Sequence, residues 1–189
     1  MEHEVVSLKD GSKGTVFFVR GDYKLDVPDE IVDQMCNLFN HIIEEGKTYP
    51  HLETFTKESF IDYWMGKFCA IMVKGEQDKL LSNQTLLGTY YVKPNYIGRC
   101  SEVSNAGFLV SPDTRGLGVG KALGKTYLEW GKKLGYRYSV FNLVFETNVA
   151  SLKIWDSLGF ERIGRVPGVA NLKGFDKPVS AIIFGKSFV

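Results

Sequence analysis

The alternation of apolar and polar positions predicts regular structure from residue 28 onward. Apolar residues recur at helical spacing through IVDQMCNLFNHII and predict a helix over 28–45. Pro28 suits the first turn of that helix, and Gly46 suits the position just past its end. A shorter helix is expected after Thr56. The pattern therefore opens with helices and continues with strands.

The strand-like runs that follow have turn-sized polar segments between them, which indicates an antiparallel meander. Those runs lie at 68–75, 86–94 and 102–111. After them a helix over 119–134, a strand at 138–145 and a helix over 148–158 precede two strands near 160–166 and 179–186. Strand 138–145 is almost wholly apolar, as expected of a strand covered on both faces. The order predicts an α/β (α+β) fold, with a mixed, mostly antiparallel sheet and helices on both faces, in one domain over 1–189.

Composition and charge argue against a nucleic-acid-binding, a metal-binding or a membrane-spanning protein. The 189 residues carry 23 basic and 22 acidic side chains, a net charge of +1, which argues against a nucleic-acid partner. Cys36, Cys69 and Cys100 are far apart and in no metal or disulfide spacing, so we expect reduced thiols in a cytoplasmic protein. No apolar run is long enough for a membrane span, and the three histidines show no metal-ligand pattern.

The stretch SPDTRGLGVGKAL, which begins at Ser111, concentrates three glycines between a strand and a helix. Unpaired N–H groups and the helix dipole favour an anion there, and bare backbone lets phosphate oxygens approach closely. A loose turn is the alternative interpretation. The candidate anion-binding residues are Arg115, Gly116, Leu117, Gly118, Val119, Gly120 and Lys121.

Two phosphate-binding patterns do not fit this stretch. A P-loop requires Lys and then Ser or Thr after its last glycine, but Lys121 is followed by Ala122. A dinucleotide-binding turn requires G-x-G-x-x-G early in a parallel βαβ unit, whereas GLGVG has another spacing and follows antiparallel strands.

A third pattern, R-x-x-G-x-G, is formed by Arg115, Gly118 and Gly120. It resembles the coenzyme A pyrophosphate loop of the GNAT (GCN5-related) N-acetyltransferases. The segment NVASLKIWDSLGF, which begins at Asn148, resembles the second motif of that family. The resemblance covers roughly residues 28 to 186, with the motif core at about 86–166. The segments EEGKTYP, YVKPNY, NAGFLV, YSVFNLVF and IWDSLGF are similar to the fungal L-azetidine-2-carboxylate acetyltransferases, which confer resistance to toxic proline analogues.

The resemblance implies transfer of acetyl from acetyl-CoA, as co-substrate and without a metal, to a small cyclic secondary amino acid. It also implies a role in detoxification. Backbone groups of Phe108, Leu109 and Val110 would pair with the pantetheine arm. Asn148 would contact the same arm, cap its helix, or do both. In the family a bulge in the strand before the loop frees an N–H for the acetyl oxygen, and Gly107 or Asn105 would suit that bulge.

Two asparagines lie in otherwise apolar strands, where a buried amide needs a partner. Asn105 and Asn142 are therefore predicted to bind the acceptor, with Asn105 as the catalytic candidate, or else to brace the strand backbone. The predicted pocket walls are Tyr49, Tyr63 and Trp64. Trp155 stands where many family members carry the tyrosine acid, and we expect it to serve in packing. Glu102 is a candidate for the base, but a solvent-facing strand residue is the preferred interpretation, and a water that relays the proton is the preferred route.

Two other interpretations stay open at this point. One is an acetyltransferase for a peptide N-terminus or a lysine side chain, and the other is an acyl-CoA-binding module without turnover. The sequence leaves a homodimer open and indicates no membrane partner.

Overall fold

The computed structural model describes all 189 residues. The chain divides into two compact units. The first consists of Met1–Asn40, Phe55–Val92 and Ala106–Leu123, and the second of His41–Thr54, Lys93–Asn105 and Gly124–Val189. The prediction of one domain over 1–189 stays a prediction.

Eight strands hydrogen-bond in one sheet, in the order β1-β2-β3-β4-β5-β6-β8-β7. The strands are β1 (Glu2–Ser7), β2 (Lys13–Arg20), β3 (Phe68–Lys74), β4 (Leu86–Pro94), β5 (Val103–Val110), β6 (Tyr138–Phe145), β7 (Glu161–Ala170) and β8 (Val179–Ser187). The helices are α1 (Asp29–Glu45), α2 (Lys57–Trp64), α3 (Val119–Lys133) and α4 (Val149–Ser157). Pairing is antiparallel along β1, β2, β3 and β4, and again between β6, β8 and β7, whereas β5 and β6 pair in parallel. The mixed, mostly antiparallel sheet is as predicted.

The sequence pattern located every helix and every strand after residue 28 to within a few residues. It assigned nothing to residues 1–20, which form the hairpin of β1 and β2. The interior of β2 is buried and packs within the first unit, with Val16 and Phe17 at most 1% exposed. None of the helices combines the length and the apolar character needed to cross a bilayer.

Two backbone bonds define the register between β4 and β5 near the ends of the two strands. The N–H of Ser111 donates to the carbonyl of Leu87 at 2.9 Å, and the N–H of Asn95 donates to the carbonyl of Val103 at 2.7 Å. Eight residue steps separate these bonds on each strand, so β5 has no net inserted residue. The bulge predicted at Gly107 or Asn105 stays a prediction, because one inserted residue on each strand would leave the same register at both ends.

The expectation that β6 is covered on both faces is wrong at one point. Asn142 and Leu143 are both exposed, while their neighbours Phe141 and Val144 are buried. The pairing of β6 with β8 shifts register between Phe141 and Val144. Because a bulge interrupts the alternation of inward and outward side chains, two consecutive side chains reach the surface there.

Candidate functional site

The glycine loop, which we define as residues 115–121, lies in the first unit between β5 and α3. A short 3₁₀ turn over Pro112–Thr114 leads into it. The buried hydroxyl of Thr114 donates to the carbonyl of Ser111 at 2.8 Å, which fixes this turn at the end of β5. The N–H of Leu117 donates to the carbonyl of Thr114 at 3.2 Å, so the loop itself is ordered by backbone bonds.

Two of the three loop glycines need their lack of a side chain for backbone conformation. Gly116 and Gly118 have φ of +83° and +80°, which other residues adopt only with strain. An added Cβ on Gly116 would meet nothing within 4 Å, so the space above it is open. Gly120 lies inside α3 and is not among the glycines with positive φ. The predicted freedom of the backbone thus applies to Gly116 and Gly118.

The start of α3 has no side-chain cap. The N–H of Ala122 donates to the carbonyl of Gly118 at 3.0 Å, which makes Gly118 the N-cap residue. By contrast, Thr56 accepts from the N–H of Ser59 at the start of α2, and Asn148 accepts from the N–H of Ser151 at the start of α4. The first N–H groups of a helix have no partner inside it. Those of α3 follow an N-cap glycine, which has no side chain to accept from them.

Positive charge surrounds this helix start. Arg115 and Lys121 are exposed on the loop, as their predicted role requires. A third cation comes from the turn between β1 and β2, where the N–H of Lys9 donates to the carbonyl of Leu117 at 2.9 Å. A Cβ added to Gly118 would lie 3.6 Å from the Cβ of Lys9. Lys9 was not predicted from the sequence, because contact with a loop more than a hundred residues later leaves no local pattern.

In the second unit, two asparagines hold each other. The amide of Asn142 donates to Oδ1 of Asn95 at 2.6 Å, and the amide of Asn95 donates to Oδ1 of Asn142 at 3.2 Å. This reciprocal pair fixes the orientation of the exposed Asn142 side chain. Asn142 is thus neither buried nor a brace of the strand backbone. Asn95 was not predicted. It lies in the segment YVKPNY, and its contact with Asn142 depends on how the strands pair.

Asn105 is half-buried and follows directly after the residues through which β5 pairs with β6. That pairing joins Val103 to Tyr138 and Ser104 to Ser139. The hydroxyl of Tyr127 on α3 hydrogen-bonds to both strands at this point. It lies 2.8 Å from Oγ of Ser104 and 2.6 Å from Oγ of Ser139. Burial raises the pKa of Tyr127 to about 12, so this phenol stays neutral. We call Asn95, Asn105 and Asn142 the amide cluster.

Two titratable groups of the second unit lie close to each other. Lys93 on β4 is half-buried, and this burial lowers the pKa of its ammonium group. Burial also lowers the pKa of His51, and the positive charge of Lys93 lowers it further. The ring of Tyr49 lies 6.0 Å from that of His51 and is half-buried, which is compatible with its predicted place beside the acceptor.

The other predicted pocket walls lie in the first unit. Trp64 is 1% exposed, and its indole N–H donates to Oγ1 of Thr89 at 3.0 Å. It is a core residue, so its prediction as a pocket wall is corrected: a helix residue on an apolar stripe faces the core. Tyr63 is half-buried and stacks on Phe39 with ring centroids 6.0 Å apart. Its role at the acceptor stays a prediction.

Three further residues behave as packing or surface groups. Trp155 is 5% exposed, and its ring centroid lies 4.6 Å from that of Phe141 and 5.4 Å from that of Phe160. Glu102 lies before the start of β5, where its exposed carboxylate is 3.8 Å from the guanidinium of Arg137. Both placements agree with the interpretations preferred from the sequence, packing for Trp155 and solvent for Glu102.

Comparison with known proteins adds the family. The sequence profile of the acetyltransferase (GNAT) family matches residues 34–160. The chain belongs to this family. The N-acetyltransferase aca1 of Schizosaccharomyces pombe is 37% identical over 171 residues, covering 85% of this chain and 81% of aca1. The predicted GNAT N-acetyltransferase is thereby confirmed.

Two other proteins extend the comparison. Protein SPT10 of Saccharomyces cerevisiae is 33% identical over 226 residues, which cover 97% of this chain but 35% of SPT10. The Salmonella typhimurium protein yncA, solved with its cofactor acetyl-CoA, has a TM-score of 0.76 over 93% of this chain and 94% of yncA. At 14% identity, that likeness shows the fold alone.

Proposed function

We propose that this enzyme transfers acetyl from acetyl-CoA to the ring nitrogen of a small cyclic secondary amino acid, such as L-azetidine-2-carboxylate. The observation that supports this class of acceptor is the amide cluster. Asn142 is exposed yet held in one orientation by Asn95, an arrangement that suits a polar ligand better than strand bracing. The resemblance to fungal azetidine-2-carboxylate acetyltransferases supports the same acceptor. A cytoplasmic, detoxifying role belongs to this proposal.

The residues of the first unit fit the coenzyme. The uncapped start of α3, with Arg115 and Lys121, suits the pyrophosphate, because backbone N–H groups and fixed positive charge favour an anion. The strand backbone at Phe108, Leu109 and Val110 would bind the pantetheine arm. In the second unit, Asn148 uses Oδ1 to cap α4, and its amide N–H groups would donate to the coenzyme.

The reaction joins the ring nitrogen to the acetyl carbon and breaks the bond from that carbon to sulfur. The nitrogen loses one proton, and the sulfur leaves as a thiolate that is protonated in solution. A thiol with a pKa of about 8.5 is a tolerable leaving group without an acid. The buried Trp155 cannot supply that acid, and Glu102 is paired at the surface. Water is therefore the proposed proton carrier, with Asn105 as the donor to the developing oxyanion.

An acceptor panel tests this function. The purified enzyme and acetyl-CoA are incubated with L-azetidine-2-carboxylate, L-proline, a peptide with a free N-terminus and a lysine peptide. Thiol release and the mass of the N-acetyl product are both measured. The proposal expects the cyclic amino acid to have the highest kcat/KM. A preference for either peptide would support the peptide or lysine acetyltransferase instead, and acetyl-CoA binding without thiol release would support a non-catalytic module.

A further inference from the structure

The register of β4 and β5 places Lys93 directly opposite Asn105. The bond from Asn95 N–H to Val103 carbonyl defines this register within the second unit. Two residues further along each strand, Lys93 and Asn105 form the next pair on the same face, since side chains alternate with a period of two. Asn95 lies one residue past the end of β4, next to Pro94, and it binds Asn142 through the reciprocal amide pair.

The environment of Lys93 suits a small anion. Its ammonium group is half-buried, and the charged form is disfavoured by this burial. Burial lowers the pKa of His51, and the positive charge of Lys93 lowers it further. A carboxylate placed here would lower the cost of keeping the ammonium charged, because an opposite charge favours the charged form.

We propose that Lys93 binds the carboxylate of the acceptor and so determines the preference of the enzyme for cyclic amino acids over uncharged cyclic amines. This inference rests on the proposed function, and it assigns the charge recognition that amide groups alone do not supply. Asn105 and Asn142 are neutral donors, whereas the ammonium group of Lys93 would bring a unit positive charge to the carboxylate. Lys93 is thus a specificity-determining residue beside the amide cluster.

A pair of substrates that differ only in charge tests the proposal. We compare kcat/KM for L-azetidine-2-carboxylate and for its carboxamide, in the wild type and in Lys93→Met. The wild type is expected to prefer the acid at least tenfold. Lys93→Met should lower this preference about ten- to a hundredfold, mainly because kcat/KM for the acid falls. Lys93→Arg retains the charge and should retain the preference. Lys132→Met, an exposed lysine on α3, controls for general loss of charge.

The outcomes separate this inference from the proposed function. A wild type that acetylates neither ring compound contradicts the function, and the inference falls with it. A wild type that acetylates both equally, or a folded Lys93→Met that loses both equally, overturns the role of Lys93 and leaves the function standing. Lys93→Gln replaces Lys93→Met if the latter fails to fold. The same ratio, kcat/KM for the acid over kcat/KM for the carboxamide, is then measured in Lys93→Gln. A lower ratio in Lys93→Met, with Lys132→Met unchanged, supports the proposal.

Discussion

The glycine loop of the first unit and the amide cluster of the second present different kinds of atoms. The loop offers backbone N–H groups at the start of α3, and its two glycines with positive φ lie within three residues of each other. The cluster offers side-chain amides from β5, from β6 and from the residue that follows β4, and the pair of Asn95 and Asn142 joins positions 47 residues apart. A local motif thus builds the first region, and long-range strand pairing builds the second.

This difference determines how each region should respond to mutation. A backbone site survives changes to most side chains and fails when its bare backbone is covered or its free N–H groups gain a competing acceptor. A side-chain site fails when a single amide is removed, or when the elements that orient it move. The predictions below use substitutions that separate these two behaviours.

The largest effect is expected for Gly118→Asp. An aspartate at this position would place a negative charge beside the first N–H groups of α3 and against the pyrophosphate. Acetyl-CoA affinity, measured by calorimetric titration, should fall at least a hundredfold, or about 2.7 kcal/mol. The fold should survive, since aspartate tolerates positive φ better than most residues.

The matched control for that variant is Gly174→Asp. Gly174 has φ of +82° with nothing within 4 Å of an added Cβ, and it lies in the loop between β7 and β8. Gly174→Asp therefore introduces the same charge and the same backbone strain at a position away from the start of a helix. Equal losses of acetyl-CoA affinity in the two folded variants would contradict the phosphate-binding role of the loop.

The next effect concerns Asn105→Ala and Asn142→Ala. Each should lower kcat/KM for the cyclic amino acid about ten- to a thousandfold, since a donor to a charged group contributes about 1.5–3 kcal/mol and a donor to an oxyanion up to about 4 kcal/mol. Acetyl-CoA affinity should change little. Normal kinetics in both variants, or parallel loss of acetyl-CoA affinity, would make these asparagines structural only.

Asn95→Ala refines the same prediction. Asn95 is a positioning residue that acts through Asn142, so its removal should cost less than the removal of Asn142. In a double-mutant cycle, Asn95→Ala should have no further effect once Asn142 is alanine, because the amide that it orients is then absent. Additive losses would show that Asn95 contacts the acceptor itself.

The glycine loop was easier to predict from the sequence than the amide cluster. Arg115, Gly118 and Gly120 identify the loop by spacing, because every residue that forms it is local. Asn105 and Asn142 were noticed as polar residues in apolar strands, but their partners depend on register. Asn95 and Lys93 were missed for that reason. Trp64 was misplaced because an aromatic stripe alone does not distinguish a core from a pocket.

A smaller effect is expected for Tyr127→Phe. Its hydroxyl joins Ser104 and Ser139 at the last residues through which β5 and β6 pair. Losing these buried bonds should lower the free energy of unfolding by about 1–2 kcal/mol in urea denaturation. Tyr23→Phe, at a tyrosine that is 50% exposed, should have no measurable effect. Unchanged stability in Tyr127→Phe would mean that other contacts hold Asn105 in register.

The smallest effect on turnover is expected for Trp155→Phe, which tests whether this position takes part in proton transfer. Trp155 is buried against Phe141 and Phe160, and an indole N–H is not an acid at neutral pH. We expect kcat to fall less than tenfold, together with some loss of stability from the smaller ring. Trp130→Phe, at a tryptophan that is 1% exposed on α3, provides the matched loss of buried volume. General acid catalysis contributes about a hundredfold or more. A loss of that size in folded Trp155→Phe, but not in Trp130→Phe, would therefore assign Trp155 to the chemistry and remove water as the sufficient proton carrier.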